Sequence, residues 1–221
     1  MTGTQKPFLV GISGGSGSGK TTLAERLAAR LAPRKSTIVS EDRYYKDTRG
    51  LKNYDPRTYN FDVVDSRDYD LLEMHLNELK SGKAIDAPRY SFATHTRLED
   101  TDRITPTDVM IFEGIHVLST DRIRNIFDLT IYVDTPDDIR FLRRILRDTK
   151  PESEGGRSRD WRGVVEQYLT TVRKSHAEFT APAREKADIV LFDECTDVEK
   201  PALDIVDKLL EPVFKSPKYR I

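Results

Sequence analysis

The chain has 221 residues, of which 33% are charged and 37% hydrophobic, and its formal net charge is −1. This balance of mixed charges argues against a nucleic-acid-binding surface and is typical of an ordinary protein in water. The one cysteine, Cys195, excludes an internal disulfide and fits a reducing compartment. Because no apolar run approaches membrane-spanning length and the start lacks a signal core, we expect a cytoplasmic protein without a membrane partner.

The first predicted elements enclose a glycine-rich loop. The apolar run 8–12 predicts a buried strand, and leucines at helical spacing predict a helix over 21–32 that stops at Pro33. Residues 14–21 between them read G-x-x-x-x-G-K-T. In that pattern the glycines bring backbone N–H groups against phosphates, Lys20 faces the β- and γ-phosphates, and the Thr21 hydroxyl ligates Mg²⁺. Strand, loop and helix in this order predict a nucleoside triphosphate site made of Gly14, Gly15, Ser16, Gly17, Ser18, Gly19, Lys20, Thr21 and Thr22.

A second short strand is predicted over 36–40, and Asp42 follows it directly. Ligands of an open parallel sheet lie beyond the carboxyl ends of its strands, so we expect Asp42 beside the phosphate loop. A carboxylate there could accept a proton from a substrate hydroxyl. From position alone, an aspartate that caps a helix or turn is an alternative interpretation.

The middle of the chain predicts a helix, a hairpin and a third parallel strand. Leucines at helical spacing indicate a helix over 68–80, and alternating residues over 84–105 indicate a short antiparallel insertion. His95 lies on that insertion, where a lone histidine is more often structural than functional. The apolar strand 108–114 carries Glu113 near its end, which is the pattern of a carboxylate that reaches Mg²⁺ directly or through water.

A strand over 129–133 leads into a helix with Ile139, Leu142, Ile145 and Leu146 on one side and arginines on the other. Such a charged face is usually solvated. Here it runs into a stretch rich in glycine, serine and arginine, and residues 143–162 therefore suit a lid, since guanidinium groups can meet the charge of a transferred phosphoryl group.

The remaining pattern predicts a helix over 161–180, a last strand over 189–192 and a covering helix over 198–213. Five apolar strands separated by helices imply a five-stranded parallel sheet flanked by helices, with one antiparallel hairpin inserted. We therefore predict a single α/β domain of the P-loop NTPase type over residues 1–221, with its core at 7–213.

An ordered set of motifs resembles the uridine (uridine–cytidine) kinase family of P-loop kinases. The set contains Gly-Ile-Ser-Gly-Gly-Ser-Gly-Ser-Gly-Lys-Thr at 11–21, Glu-Asp-Arg-Tyr-Tyr at 41–45 and Tyr-Asn-Phe-Asp at 59–62. It continues with Tyr90, His95-Thr-Arg, Phe-Glu-Gly-Ile at 112–115, Tyr-Val-Asp-Thr at 132–135, Arg-Arg at 143–144, Arg147-Asp, Arg157-Ser-Arg-Asp and Gln167-Tyr. The lid is longer than usual in that family between Arg147 and Arg157.

The resemblance implies a role for each matching residue. Asp42 would deprotonate the acceptor hydroxyl, and Glu113 would join Thr21 on Mg²⁺, with Asp42 close to the metal. Lys20, Arg144 and Arg147 would act on the transferred phosphoryl group, and Arg157 would hold ATP. The nucleoside would be bound by Asp62, Tyr90, His95, Arg159 and Gln167.

The activity implied is transfer of the ATP γ-phosphoryl group to the 5′-hydroxyl of uridine, with cytidine as a second acceptor, in pyrimidine salvage. By analogy with the family we also expect a homo-oligomer, specifically a tetramer. A related kinase with another acceptor, such as phosphoribulokinase, is the nearest alternative, but the Tyr90/His95 pair suits a planar base better than a sugar phosphate. A GTP-dependent switch is disfavoured because the guanine-reading Asn-Lys-x-Asp sequence is absent. A non-catalytic nucleotide-binding regulator is a further alternative, against which Lys20, Asp42 and Glu113 together argue.

Overall fold

The computed structural model describes residues 6–193, apart from residues 53, 56–58 and 93. The predicted helix over 198–213 and Cys195 lie outside the described residues. Seven strands are described: β1 (Phe8–Gly14), β2 (Ser36–Ser40), β3 (Ile85–Ser91), β4 (Thr96–Ile104), β5 (Val109–Glu113), β6 (Leu129–Asp134) and β7 (Ile189–Phe192). The helices are α1 (Lys20–Arg30), α2 (Tyr69–Lys80), α3 (Asp121–Arg124), α4 (Asp137–Thr149), α5 (Trp161–Gln167) and α6 (Arg173–Ser175).

The five strands that the apolar runs predict form one parallel sheet in the order β2-β5-β1-β6-β7. Strands β3 and β4 pair antiparallel in a separate two-stranded sheet. The predicted fold is therefore confirmed. The order places β1, which leads into the phosphate loop, at the centre of the sheet between β5 and β6, so the carboxyl ends of these strands surround the loop.

Both faces of the parallel sheet are buried, as expected for strands that helices cover on two sides. Leu23, Ala24 and Leu27 of α1 pack on one face, and Leu72, Leu76 and Leu79 of α2 belong to the apolar cluster on the other. All six of these helical residues have no exposed surface. The two layers of helices fix the sheet, which in turn fixes the loops at its carboxyl edge.

Helix α4 departs from the usual solvation of a charged helix face. Arg140, Arg143 and Arg144 are buried, whereas Leu142 and Leu146 are 46% and 41% exposed. Helical periodicity separates the two faces correctly but does not say which face points inward. The buried arginines have partners that the spacing could not indicate, since Arg143 forms a 2.6 Å ion pair with Asp193 after β7.

Arg140 is buried beneath the phosphate loop. Its Nε donates to the carbonyl oxygen of Thr135 at 3.2 Å, and its Nη2 pairs with Asp137 at 2.5 Å. The α4 backbone is equally close, because a Cβ on Gly17 would overlap the Arg140 carbonyl group. The charged face of α4 thus packs against the phosphate loop through Arg140, and arginines further along the same face reach the candidate site.

The segment after α5 is a continuous helix with two wide turns. Residues Tyr168–Val172 and His176–Thr180 have π-helical hydrogen bonding on either side of α6. π-Helical turns shift the side-chain register and are frequent at functional sites. Gln167, at the end of α5, lies at the first of these turns and reaches the candidate site.

Among the described residues, no helix combines the length and apolar character needed to cross a membrane.

Candidate active site

A cavity of about 870 Å³ opens at the carboxyl edge of the parallel sheet. It brings together residues that lie far apart in sequence, from Ser16 in the phosphate loop to Gln167 at the end of α5. Predicted site residues that line it are Ser16, Lys20, Thr21, Asp42, Asp62, Tyr90, His95, Glu113, Arg144, Arg147, Arg157, Arg159 and Gln167. The volume is within the range of ordinary small-molecule sites.

The phosphate loop has a backbone that only glycine accommodates easily at two positions. Gly14 has φ +153°, and a Cβ there would lie 2.6 Å from the carbonyl oxygen of Val133. Gly17 has φ +82° and abuts Arg140. The loop is also held from outside, because the buried Thr135 hydroxyl donates to the Ser18 carbonyl oxygen at 3.0 Å. A glycine-rich backbone held in this way at the N-terminus of α1 fits a polyphosphate.

Lys20 and Thr21 begin helix α1 and face two carboxylates. Burial lowers the pKa of Lys20, and the charges of Glu113 and Asp42 oppose that shift. The Thr21 hydroxyl donates to Glu113 Oε2 at 3.1 Å. Hydroxyl and carboxylate oxygens are ligands that Mg²⁺ prefers, and Mg²⁺ at nucleotide sites takes few protein ligands beside phosphate and water. The pair fits that metal, although no group of three histidine, cysteine, aspartate or glutamate residues suited to a metal occurs in the described chain.

Asp42 lies on a short 3₁₀ turn, Glu41–Tyr44, that directly follows β2. Its own N–H is capped by the Ser40 hydroxyl at 3.3 Å, and its side chain is 35% exposed to the cavity. Arg67 Nη2 lies 3.5 Å from Asp42 Oδ1. One carboxylate oxygen is thus oriented by a fixed cation while the group as a whole faces the space where an acceptor would sit.

Arg67 is almost fully buried and joins the turn of Asp42 to the loop that carries Asp62. It donates to the Phe61 carbonyl at 3.0 Å and to the Tyr45 hydroxyl at 2.8 Å, and its guanidinium carbon lies 4.2 Å from the centre of the Tyr45 ring. Its Nε is 3.5 Å from the fully buried Glu41. Sequence reasoning missed this arginine, because an isolated charge in a polar stretch carries no pattern.

Glu41 is the buried counter-charge of Arg67. It accepts hydrogen bonds from the Tyr69 hydroxyl at 2.8 Å and from the His116 N–H at 2.9 Å. Burial raises the pKa of Glu41, whereas Arg67 and the two hydrogen bonds oppose the rise. The next residue in the chain is Asp42, so this network anchors the turn that holds the candidate base.

Aromatic rings form the end of the cavity away from the phosphate loop. Phe61 stacks on His95 with ring centroids 4.7 Å apart and planes 25° apart. Tyr45 lies 5.0 Å from Tyr90, and Phe92 meets Tyr90 edge-on at 5.4 Å. Such a lining suits a flat, apolar-faced ring. Tyr45 and Phe61 occur inside the motifs quoted above, but nothing in the sequence singles out Phe92.

His95 has a left-handed backbone, φ +55°, at the turn of the β3–β4 hairpin. Its carbonyl accepts a 2.6 Å hydrogen bond from the Thr48 hydroxyl. Burial lowers the pKa of the imidazole, and the nearby charges of Arg159 and Arg157 lower it further. The ring is therefore neutral near pH 7, which leaves one nitrogen as a donor and the other as an acceptor.

Asp62 is 7% exposed and projects from a loop held by its neighbours. The Asn60 side-chain oxygen accepts the Asp62 N–H at 2.9 Å, and His116 Nε2 lies 2.7 Å from the Asp62 carbonyl oxygen. The residue lines the same cavity as Ser16 of the phosphate loop and the aromatic rings. A buried carboxylate in that place can accept hydrogen bonds from the hydroxyls of a sugar.

Arginines from α4 and the following loop form the roof of the cavity. Arg144 donates to Ser16 of the phosphate loop at 3.0 Å and to Gln167 at 2.9 Å, and Arg159 donates to the same Gln167 oxygen at 3.0 Å. The Arg157 guanidinium carbon lies 5.0 Å from the centre of the Phe92 ring. The roof therefore touches both the phosphate end and the aromatic end.

A buried carboxylate, Asp148, lies behind these arginines. Burial disfavours its charge, but Arg147 and Arg157 outweigh that effect and hold the pKa of Asp148 below its ordinary value. The segment that makes this lid longer than usual also contributes to the cavity, because Glu152, Gly155 and Gly156 line it.

The fold and the phosphate loop define a P-loop nucleotide-binding kinase. The model of the Phosphoribulokinase / Uridine kinase family matches residues 9–199. A uridine kinase of Lactobacillus helveticus is 44% identical over 188 residues, 85% of this chain and 87% of that protein. A uridine kinase of Clostridium novyi is 38% identical over 213 residues, 96% of this chain and 99% of that protein.

The chain therefore belongs to the phosphoribulokinase/uridine kinase family, with the uridine kinases as its relatives there. Among solved structures, phosphoribulokinase from Rhodobacter spheroides superposes with a TM-score of 0.60 at 14% identity, covering 88% of this chain and 73% of that one. At that identity the likeness concerns the fold alone.

Proposed function

We propose that this protein transfers the γ-phosphoryl group of ATP to the 5′-hydroxyl of uridine, and of cytidine as a second acceptor, to form the nucleoside monophosphate. One observation carries the proposal: a single cavity holds a phosphate loop, an exposed carboxylate and an aromatic end that contains a neutral histidine. The relatives named uridine kinase, which cover most of the chain, support the same reaction.

The phosphates of ATP bind at the loop, in this proposal. The loop contributes backbone N–H groups and the positive end of α1, and Lys20 contributes a point charge. Arg157 binds the phosphates from the lid, and Arg144 and Arg147 act on the phosphoryl group as it moves. Fixed guanidinium groups stabilise charge that spreads over the transferred oxygens.

Thr21 and Glu113 would hold Mg²⁺, with Asp42 close by. The metal, when bound, would neutralise charge on the β- and γ-phosphate oxygens. The 3.1 Å contact between the Thr21 hydroxyl and Glu113 supports this assignment, because both oxygens already point to one place.

Asp42 would accept the proton of the acceptor hydroxyl. The carboxylate is exposed to the cavity and oriented by Arg67 through one oxygen, which leaves the other for the substrate. Most of the rate enhancement would come from holding the hydroxyl in line with the phosphorus atom.

The nucleoside would lie between Asp62 and the aromatic end. Asp62, with Arg159 and Gln167, would bind the ribose hydroxyls, while Tyr90 would pack on the base and His95 would bond its edge. The stack of Phe61 on His95 would fix the imidazole plane for that bond. A sugar phosphate, the acceptor of the nearest alternative, has no flat ring for this surface.

We also propose one kinase domain with an acceptor-binding insertion at 84–105 and a lid at 143–162. The protein would act in the cytoplasm as a homotetramer, by analogy with the family, on small molecules alone.

ADP release with ATP, Mg²⁺ and each of uridine, cytidine, adenosine and ribulose 5-phosphate tests the proposal. We expect turnover with uridine and cytidine. Turnover on the sugar phosphate alone would keep the phosphate chemistry and overturn the acceptor assignment.

Asp42→Asn should lower kcat by about 10²- to 10⁴-fold and leave the Kd of ATP within about twofold, because a general base acts only on the transfer step. Asp47→Asn, a similarly half-buried aspartate that is paired with Arg49 and does not line the cavity, is the matched control. Near-normal turnover of Asp42→Asn would refute the base assignment.

A further inference from the structure

We infer that Asp148 is a positioning residue that holds three lid arginines in the orientation in which they meet the phosphates. The inference rests on the proposed function, since it concerns the arginines that would act on ATP. It assigns a task to a residue that does not itself line the cavity.

The Asp148 carboxylate is fully buried, and each of the three arginines faces it through its Nε atom. Arg147 Nε lies 2.7 Å from Asp148 Oδ1, Arg144 Nε lies 3.6 Å from Oδ2, and Arg157 Nε lies 3.7 Å from Oδ1. A guanidinium group held at Nε can still donate through its two terminal nitrogens. Asp148 therefore accepts a hydrogen bond from Arg147 Nε and forms longer ion pairs with Arg144 and Arg157, and the terminal nitrogens of these arginines remain available for a second partner.

Two of the three arginines have such a second partner on the phosphate loop. Arg144 Nη1 donates to the Ser16 hydroxyl at 3.0 Å, and Arg147 Nη2 reaches the same oxygen at 3.5 Å. Ser16 is part of the phosphate loop, so these terminal nitrogens point to where the phosphates would lie. Without Asp148, each side chain would have to find this geometry from many rotamers against the repulsion of its neighbours.

Asp148 also joins α4 to the lid backbone. Its carbonyl oxygen accepts the Arg159 N–H at 2.8 Å, and the neighbouring Lys150 carbonyl accepts the Ser158 N–H at 2.9 Å. The same residue thus fixes the three guanidinium groups through its side chain and the return of the lid loop through its main chain. A substitution of Asp148 can remove the side-chain contacts while the main-chain hydrogen bond stays in place.

Asp148→Asn tests the charge with little change of shape. We expect kcat with uridine to fall at least about tenfold and the Kd of ATP to rise at least about threefold, because the fixed charges that meet the phosphates lose their alignment. The Kd of uridine, measured without ATP, should stay within about twofold. A purely structural role would move both affinities together.

Asp128→Asn is the matched control. Asp128 is an aspartate at the opposite end of the sheet that accepts the Leu9 N–H at 2.9 Å and pairs with Lys80 at 3.0 Å. We expect this variant to lower the urea midpoint and to keep kcat within about twofold.

An active wild-type protein whose Asp148→Asn variant keeps kcat and ATP affinity would overturn the inference, as would equal losses of ATP and uridine affinity. If wild-type protein releases no ADP with uridine, the proposed function fails, yet the ATP Kd of Asp148→Asn still decides the inference. If the variant does not fold, NMR of the wild type decides it: the Nε–H of Arg147, which is partly exposed but hydrogen-bonded to Asp148, should exchange with water more slowly than that of the exposed Arg26. Equal exchange rates would overturn it.

Discussion

Arg67→Met should destabilise the protein strongly, because it leaves Glu41 buried without its counter-charge. Both side chains are fully buried, and their nearest charged atoms are 3.5 Å apart. Removal of one partner of a buried pair costs about 3–5 kcal/mol. The variant also loses the hydrogen bonds to the Phe61 carbonyl and the Tyr45 hydroxyl. We therefore expect a loss of about 4 kcal/mol in the free energy of unfolding, which is a fall of about 2 M in the urea midpoint.

The sign of the pH dependence identifies the cause. In the variant, burial raises the pKa of Glu41 and the opposing charge of Arg67 is gone. A carboxyl whose pKa is higher in the folded than in the unfolded state contributes stability below the unfolded pKa and loses it as pH rises. The loss caused by Arg67→Met should thus grow as pH rises above 4.5, the ordinary pKa of glutamate, and be larger at pH 8 than at pH 5.

Urea unfolding at the two pH values, followed by circular dichroism, measures this prediction. The control is Arg103→Met, which breaks an exposed 2.9 Å pair with Asp86 and should change stability by less than about 0.5 kcal/mol. Addition of Glu41→Gln to Arg67→Met should recover about 1–2 kcal/mol, because it removes the unpaired charge. A cost of Arg67→Met as small as the control, or one independent of pH, would refute the reasoning.

The other predictions concern the two ends of the cavity and the half-buried His176. His95→Ala should raise the KM of uridine about tenfold, as for the loss of one buried hydrogen bond, and leave that of ATP unchanged; an unchanged uridine KM would remove His95 from the site. Glu113→Gln should raise the Mg²⁺ concentration for half-maximal activity about tenfold, and an unaltered Mg²⁺ titration would contradict the metal assignment. Burial lowers the pKa of His176 to about 4, so the contribution of this histidine to stability is present above pH 6.5 and is lost as pH falls. In urea unfolding, His176→Asn should therefore lose about 2 kcal/mol less stability than the wild type between pH 7 and pH 5. An equal loss in the two proteins would contradict this prediction.

The strands of the parallel sheet were predictable because each is a short run of apolar or β-branched residues between polar loops. The runs at 36–40 and 189–192 coincide with β2 and β7. The meeting of the predicted site residues was also predictable, because the carboxyl ends of parallel strands share one edge. Asp42 and Glu113 follow that rule, since they lie at or just beyond the ends of β2 and β5.

What could not be predicted depends on contacts between distant segments. The inward face of α4 is decided by Thr135 and Asp193, which no periodicity links to Arg140 and Arg143. The roles of Arg67 and Phe92 depend on which loops pass beside them. Their neighbours are set by the folded topology, and a pattern within one segment does not contain that information.

The two-stranded sheet β3–β4 is hydrogen-bonded within itself rather than to the five-stranded sheet. Tyr90 of β3, with Phe92 and His95 of the turn between β3 and β4, forms much of the aromatic end of the cavity, whereas the phosphate loop follows β1 of the parallel sheet. In the proposed function, the hairpin would thus contact the base of the acceptor, while the loop of the parallel sheet would bind the phosphates. A change in this hairpin would then alter the base contacts without altering the backbone of the phosphate loop, because the two belong to different sheets.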